Sequence, residues 1–104
     1  MSILLNMAMF PTDQSESKSE YVSEVIKVIR DSGFTYQLTS MATIIETEEL
    51  SQALDIIQKC YDTLENLGCN RVYSTITFDI RKGHDNRLKT KVESIENKIG
   101  DVSK

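Results

Sequence analysis

Ser32-Gly33-Phe34-Thr35-Tyr36-Gln37-Leu38-Thr39-Ser40-Met41-Ala42-Thr43-Ile44-Ile45-Glu46-Thr47-Glu48 lies in the middle of a 104-residue chain and reads as helix stop, strand, tight link, strand and helix start. Gly33 follows an apolar helical pattern and suits the positive φ of a C-terminal cap. Thr47, followed by Glu48 and Glu49, has the composition of a new helix N-terminus. Between these signals Phe34, Tyr36 and Leu38 alternate with Thr35, Gln37 and Thr39, and residues 41–45 are rich in the Met, Thr and Ile that strands prefer. Ser40 separates the two runs with almost no room to turn. The expectation is a central hairpin, or a sharply bent strand pair, with one helix arriving before it and another leaving after it.

Upstream, Ile3-Leu4-Leu5-Asn6-Met7-Ala8-Met9-Phe10 is apolar at nearly every position and stops at the single proline, Pro11. That pattern predicts a central strand buried on both faces and ended where a ladder donor is lost. Ser17-Lys18-Ser19-Glu20 has the form of a capping box, and Val22, Val25, Ile26 and Ile29 then form one helical apolar stripe. Downstream, Leu50, Ala53, Leu54, Ile57, Tyr61 and Leu64 repeat that spacing in a longer helix ended by Gly68.

Residues 71–81 alternate almost perfectly. Val72, Ser74, Ile76, Phe78 and Ile80 point toward helices, while Arg71, Tyr73, Thr75, Thr77, Asp79 and Arg81 form a polar face. Asp79, flanked on its own face by Arg71 and Arg81, is most simply half of an ion pair between strands or between subunits. Leu88, Val92, Ile95 and Ile99 mark a third, charged helix from about residue 86 to 98.

The order β-α-β-β-α-β-α is the split βαβ, or ferredoxin-like, arrangement: an α+β domain spanning residues 1–104, with an antiparallel sheet ordered 4-1-3-2, helices on one face and a C-terminal helix at the edge or against a neighbour. The opposite sheet face then has no intramolecular cover. Because the first strand is apolar on both sides, a second copy is expected to cover that face.

A net charge of −4 and a pI near 4.9 argue against nucleic acid, whose phosphates demand clustered, unopposed cations. No apolar run approaches a membrane span, and the N-terminal residues lack a signal-peptide pattern, so a cytoplasmic protein without membrane association is expected. Cys60 and Cys69 form no Cys-x-x-Cys pair and read as reduced, buried thiols. His84, the one histidine, sits in a polar turn without ligand-spaced partners. With no nucleophile–His–acid set, phosphate loop or metal cluster, neither catalysis nor a cofactor is expected.

The central segment and Arg71-Val72-Tyr73-Ser74-Thr75-Ile76-Thr77-Phe78-Asp79-Ile80-Arg81, with Tyr21-Val22 and Lys91-Val92-Glu93-Ser94-Ile95, resemble the YkoF-like thiamine-binding protein family over essentially the whole chain. The family pattern has proline where this chain has Ser40 and glycine where it has Ala42. The resemblance implies a ferredoxin-like homodimer or homotetramer joined through sheet faces, and thiamine or its hydroxymethylpyrimidine portion as the small-molecule ligand. Thiamine carries a thiazolium cation and an aminopyrimidine, so a site for it needs an acid or aromatic face together with paired donors and acceptors. Tyr36, Thr39, Met41, Thr43 and Glu46 are the expected contacts, with Glu46 set against the cation. Two other readings remain beside a non-catalytic binder in transport or salvage: a regulatory or structural homo-oligomer without a small ligand, and an enzyme on the same scaffold.

Overall fold

A computed structural model describes residues 1–14 and 18–103. The elements are β1 (Ser2–Pro11), α1 (Lys18–Asp31), β2 (Thr35–Leu38), β3 (Thr43–Thr47), α2 (Leu50–Asn66), β4 (Val72–Arg81) and α3 (Arg87–Ile99). Among the described residues, the strands form one antiparallel sheet in the order β2-β3-β1-β4, the ferredoxin-like order expected from the sequence. The expected capping box begins at residue 17, outside the described residues.

Strand alternation sorts the core. Ile3, Leu5, Met7 and Met9 of β1, with Ile45 of β3, pack against Val25 and Ile29 of α1 and against Ala53, Ile56, Cys60 and Leu64 of α2. Burying each large aliphatic side chain there contributes about 1.5–3 kcal/mol. The buried stripe of α2 is rotated from the expected one. Ile56 and Cys60 lie inside, whereas Leu54 and Tyr61 are 50% and 40% exposed. The helix carries more apolar residues than one stripe can bury, and spacing alone does not choose among them.

β4 runs beside β1 along its whole length, pairing Ile3 with Ile80, Leu5 with Phe78 and Met7 with Ile76. Those residues share the helix face, as expected, yet Ile76 and Ile80 remain substantially exposed because β4 is the sheet edge and the helices pack over β1 and β3. β1 is less symmetric than its composition implies. On its second face Leu4, Ala8 and Phe10 are half-buried and Asn6 is exposed.

Gly33 takes φ +82° immediately after α1, the backbone role expected of it. The start of α2 differs from expectation. Thr47 is the buried last residue of β3, and Glu49 is the N-cap, its amide donating to Gln52 Oε1 at 2.9 Å. A Glu-x-x-Gln box thus caps the helix in place of the expected Thr47 start, while the Thr47 hydroxyl donates to the Glu49 carbonyl at 2.9 Å.

α3 corrects the expectation of an intramolecularly uncovered sheet face. Its first turn docks on that face at the end carrying Ser2, Glu46 and Asp79, and its apolar positions lead outward, with Ile95 and Ile99 47% and 72% exposed.

Candidate functional site

The β2–β3 link is a four-residue turn rather than a bend at Ser40. The Thr39 amide donates to the Ala42 carbonyl at 2.9 Å, and the Thr39 hydroxyl donates to the same oxygen at 2.7 Å. That hydroxyl also accepts from the amides of Met41 and Ala42 at 3.3 and 3.1 Å. Thr39 therefore builds the turn from its own side chain, a local bond that Thr makes readily outside regular structure. Met41, expected in a strand, is carried to the turn's tip with 88% of its surface exposed.

The turn stands over a cavity of about 260 Å³ between α1 and the helix face of the sheet. Met7 and Met9 of β1 line its sheet side, and Val22 and Ile26 line its helix side. Thr39, Ser40, Met41 and Thr43 line the end formed by the turn. No ionisable side chain lines it among the described residues. Three of the chain's four methionines meet there, supplying thioethers that adapt to and attract aromatic rings. Such walls suit a flat, uncharged ring, with hydroxyls to orient it and no counter-charge for an ion.

Thr39, Met41 and Thr43, three of the residues expected at a ligand, are thus brought together. Tyr36 and Glu46 are placed elsewhere. Tyr36 pairs with Ile45 and packs on the core, and it borders a separate groove between β2 and α3. Glu46 lies on the opposite sheet face and is fully engaged by its own chain. Its Oε2 accepts from the Ser2 hydroxyl at 2.6 Å and from the Arg87 amide at 2.8 Å, and its Oε1 accepts from the Leu88 amide at 3.2 Å. Burial acts to raise its pKa, but those three donors, with the Arg87 guanidinium, outweigh burial and hold the carboxyl below its usual value of 4.5. Glu46 is the acid at the N-terminus of α3, supplied from another strand.

Arg87 completes that arrangement. Its guanidinium is buried, donating from Nε to Ser2 Oγ at 3.0 Å and from Nη2 to the Ser2 carbonyl at 2.8 Å and to the Asp79 carbonyl. Nη1 pairs with the Asp79 carboxylate at 2.9 Å. Asp79 is thus half of an ion pair inside the subunit, between β4 and α3, rather than between strands or between subunits. Arg87 was not singled out in the sequence. The available signal was a helix that opens on Arg87, Lys89 and Lys91 with no acid in its first turn, against its own dipole, which calls for an acid from elsewhere in the fold.

Cys60 is buried in the core and its thiol is pushed up to about 12 by burial, the inert structural role expected of it. His84 is exposed in the turn between β4 and α3.

A sequence model described as "thiamine-binding protein" matches residues 5–96. The chain belongs to the thiamine-binding protein family. Relatives include a UPF0045 protein from Methanothermobacter thermautotrophicus, 31% identical over 85 residues covering 82% of this chain and 86% of that protein. Another is the UPF0045 protein YqgV of Bacillus subtilis, 34% identical over 86 residues covering 79% and 82%. Among solved structures, a hypothetical protein from Methanocaldococcus jannaschii superposes with a TM-score of 0.78 at 24% identity, covering 90% of this chain and 95% of that one. A Thermotoga maritima structure described as a candidate thiamine biosynthesis or salvage protein gives 0.78 at 18% identity, covering 91% and 99%. These two likenesses concern the fold. Membership of the family points to small-molecule binding as the general role, and no helix among the described residues is long and apolar enough to cross a membrane.

Proposed function

We propose that this chain binds hydroxymethylpyrimidine, free or as part of thiamine, in the methionine-walled cavity beneath α1, and acts without catalysis in transport or salvage. The observation that carries this reading is the uncharged cavity of about 260 Å³ with Met7, Met9 and Met41 around it and Thr39, Ser40 and Thr43 at one end. Its volume falls just below the ~300–1,000 Å³ of drug-sized pockets, so one substituted ring fits inside while a thiazolium would project past Met41 toward solvent. Thr43 and Ser40 are the hydroxyls to pair with the ring nitrogens and amino group, since the Thr39 hydroxyl is already committed to the turn. Tyr36 supports the β2 wall from the core, and Glu46 acts indirectly by fixing α3. The working form in this proposal is a cytoplasmic homodimer or homotetramer joined through sheet faces, favoured by half-buried Ala8 and Phe10 toward the Pro11 end of the second face and by exposed Ile95 and Ile99 on α3.

Calorimetric titration with hydroxymethylpyrimidine and with thiamine tests the reading, with light scattering on the same sample. The expected result is saturable binding of both, the pyrimidine supplying most of the affinity, to a particle heavier than the 11.8 kDa monomer. Absence of saturable binding by either ligand to folded protein overturns it.

A further inference from the structure

We propose a second binding site, for a phosphate-type oxyanion, in the cleft between the end of β4 and α3 on the sheet face opposite the methionine-walled cavity. The cleft measures about 460 Å³ and its charge runs against that of the chain as a whole. Lys and Arg total 12 and Asp and Glu 16 in the sequence, yet the cleft's lining holds Arg81, Arg87, Lys91 and the one histidine, His84, against a single acid, Asp79. That acid is spent. Asp79 is paired with Arg87 at 2.9 Å, so the two cancel and leave Arg81 and Lys91 as the net charge of the cleft.

Neither Arg81 nor Lys91 has an ion-pair partner among the described residues. They approach from different elements, Arg81 from the last position of β4 and Lys91 from the second turn of α3, so their convergence is made by the fold and not by sequence adjacency. The Arg87 latch fixes α3 to β1 and β4, the strand that ends at Arg81. Ser94 adds a hydroxyl one turn on from Lys91, while the Thr90 hydroxyl is committed to the Asn86 carbonyl at 3.0 Å; the free donor set of guanidinium, ammonium and one hydroxyl matches the oxygens of a phosphate group. Like charges held together without an acid repel, and an anion between them removes that cost. The cleft is roomier than a bare phosphate requires, which favours a small organic phosphate over the inorganic ion.

This site lies across the sheet from the pyrimidine cavity and its test uses no pyrimidine, so the two proposals fail separately. The experiment is an amide-detected NMR titration of the full chain with inorganic phosphate and with glycerol phosphate, at constant ionic strength, using glycerol as the neutral control. Saturable shifts are expected at Arg81, Thr90, Lys91 and Ser94, with glycerol phosphate binding at least as tightly as phosphate and glycerol inert. The double variant Arg81→Gln/Lys91→Gln should weaken binding by about tenfold or more, while Lys89→Gln, which removes an exposed charge on α3 outside the cleft, should change it less than about twofold. Both substituted side chains are exposed, so folding is expected to survive and is checked by circular dichroism. Shifts that do not saturate, or a Lys89→Gln loss equal to that of the double variant, overturn the proposal by showing only diffuse charge attraction.

Discussion

Replacing Arg87 by Met removes the guanidinium that ties α3 to the sheet while keeping much of the side chain's apolar volume. Three of its donor contacts end on β1 or β4 backbone and side-chain oxygens, and Ser2, which takes two of them, is 1% exposed. A buried acceptor left without its partner costs about 1–3 kcal/mol. The Asp79 pair adds little, because the Asp79 side chain is 59% exposed and rehydrates when the arginine is gone. Glu46 loses one charge interaction but keeps its Ser2, Arg87 and Leu88 donors, two of which are main-chain. The net expectation is a loss of about 2–4 kcal/mol, centred about 1 kcal/mol below the ~3–5 expected when both members of a broken pair are buried and near the upper end for one orphaned acceptor plus weakened neighbours. For a domain of this size each kcal/mol shifts Tm by about 4–8 °C, so a fall of about 8–32 °C is expected. Urea unfolding gives the free energy, and hydrogen exchange should show α3 amides losing protection before those of β1. Asp79→Asn should cost less than about 1 kcal/mol. An Arg87→Met protein within about 0.5 kcal/mol of wild type, with α3 exchange unchanged, would refute the latch.

Glu46 sets the acid limb of the stability curve. Its pKa is lower folded than unfolded, so its contribution is fully present above the usual value of 4.5 and is lost as pH falls through the lower folded value; Glu46→Gln should flatten that limb in urea titrations from pH 6 to about 2. Cys60, with a thiol near 12, should resist a thiol reagent at pH 8 in folded protein and react on unfolding; fast labelling of Cys60 in the native state, resolved by mass spectrometry, would contradict its burial in the core. At φ +82°, Gly33→Ala has open space around the new methyl but a strained backbone, and should cost about 1–2 kcal/mol by chemical denaturation.

The fold was legible where two local signals agreed. Gly33 after an apolar helical stripe, and the period-two alternation of residues 72–80, placed helix end and edge strand correctly because each is set by backbone or burial over a few residues. Met41 and Thr47 were misplaced by one element for a common reason. The Thr39 hydroxyl closing a turn and a Glu49–Gln52 box are side-chain bonds whose use depends on where the chain is already heading. The candidate cavity was half legible: Thr39, Met41 and Thr43 fall within one five-residue stretch, but Met7 and Met9 join them only through β1–β3 pairing. Glu46 looked like a free acid because nothing local announces that Ser2 and α3, some forty residues away on either side, will occupy both of its oxygens.

The most direct measurement uses protein labelled with ¹³C on its methionine methyl groups and titrated with hydroxymethylpyrimidine. Met7, Met9 and Met41 line the proposed cavity, while Met1 lies at the Glu46 end of the molecule beside Asp85 and reports on the alternative location for a cation near that acid. A pyrimidine seated beneath α1 shifts the methyl signals of Met7, Met9 and Met41 along one saturating curve, through ring currents and S–aromatic contact, and leaves Met1 in place. Binding that saturates while those three signals stay still, or while Met1 alone moves, would contradict the placement of the ligand in this cavity.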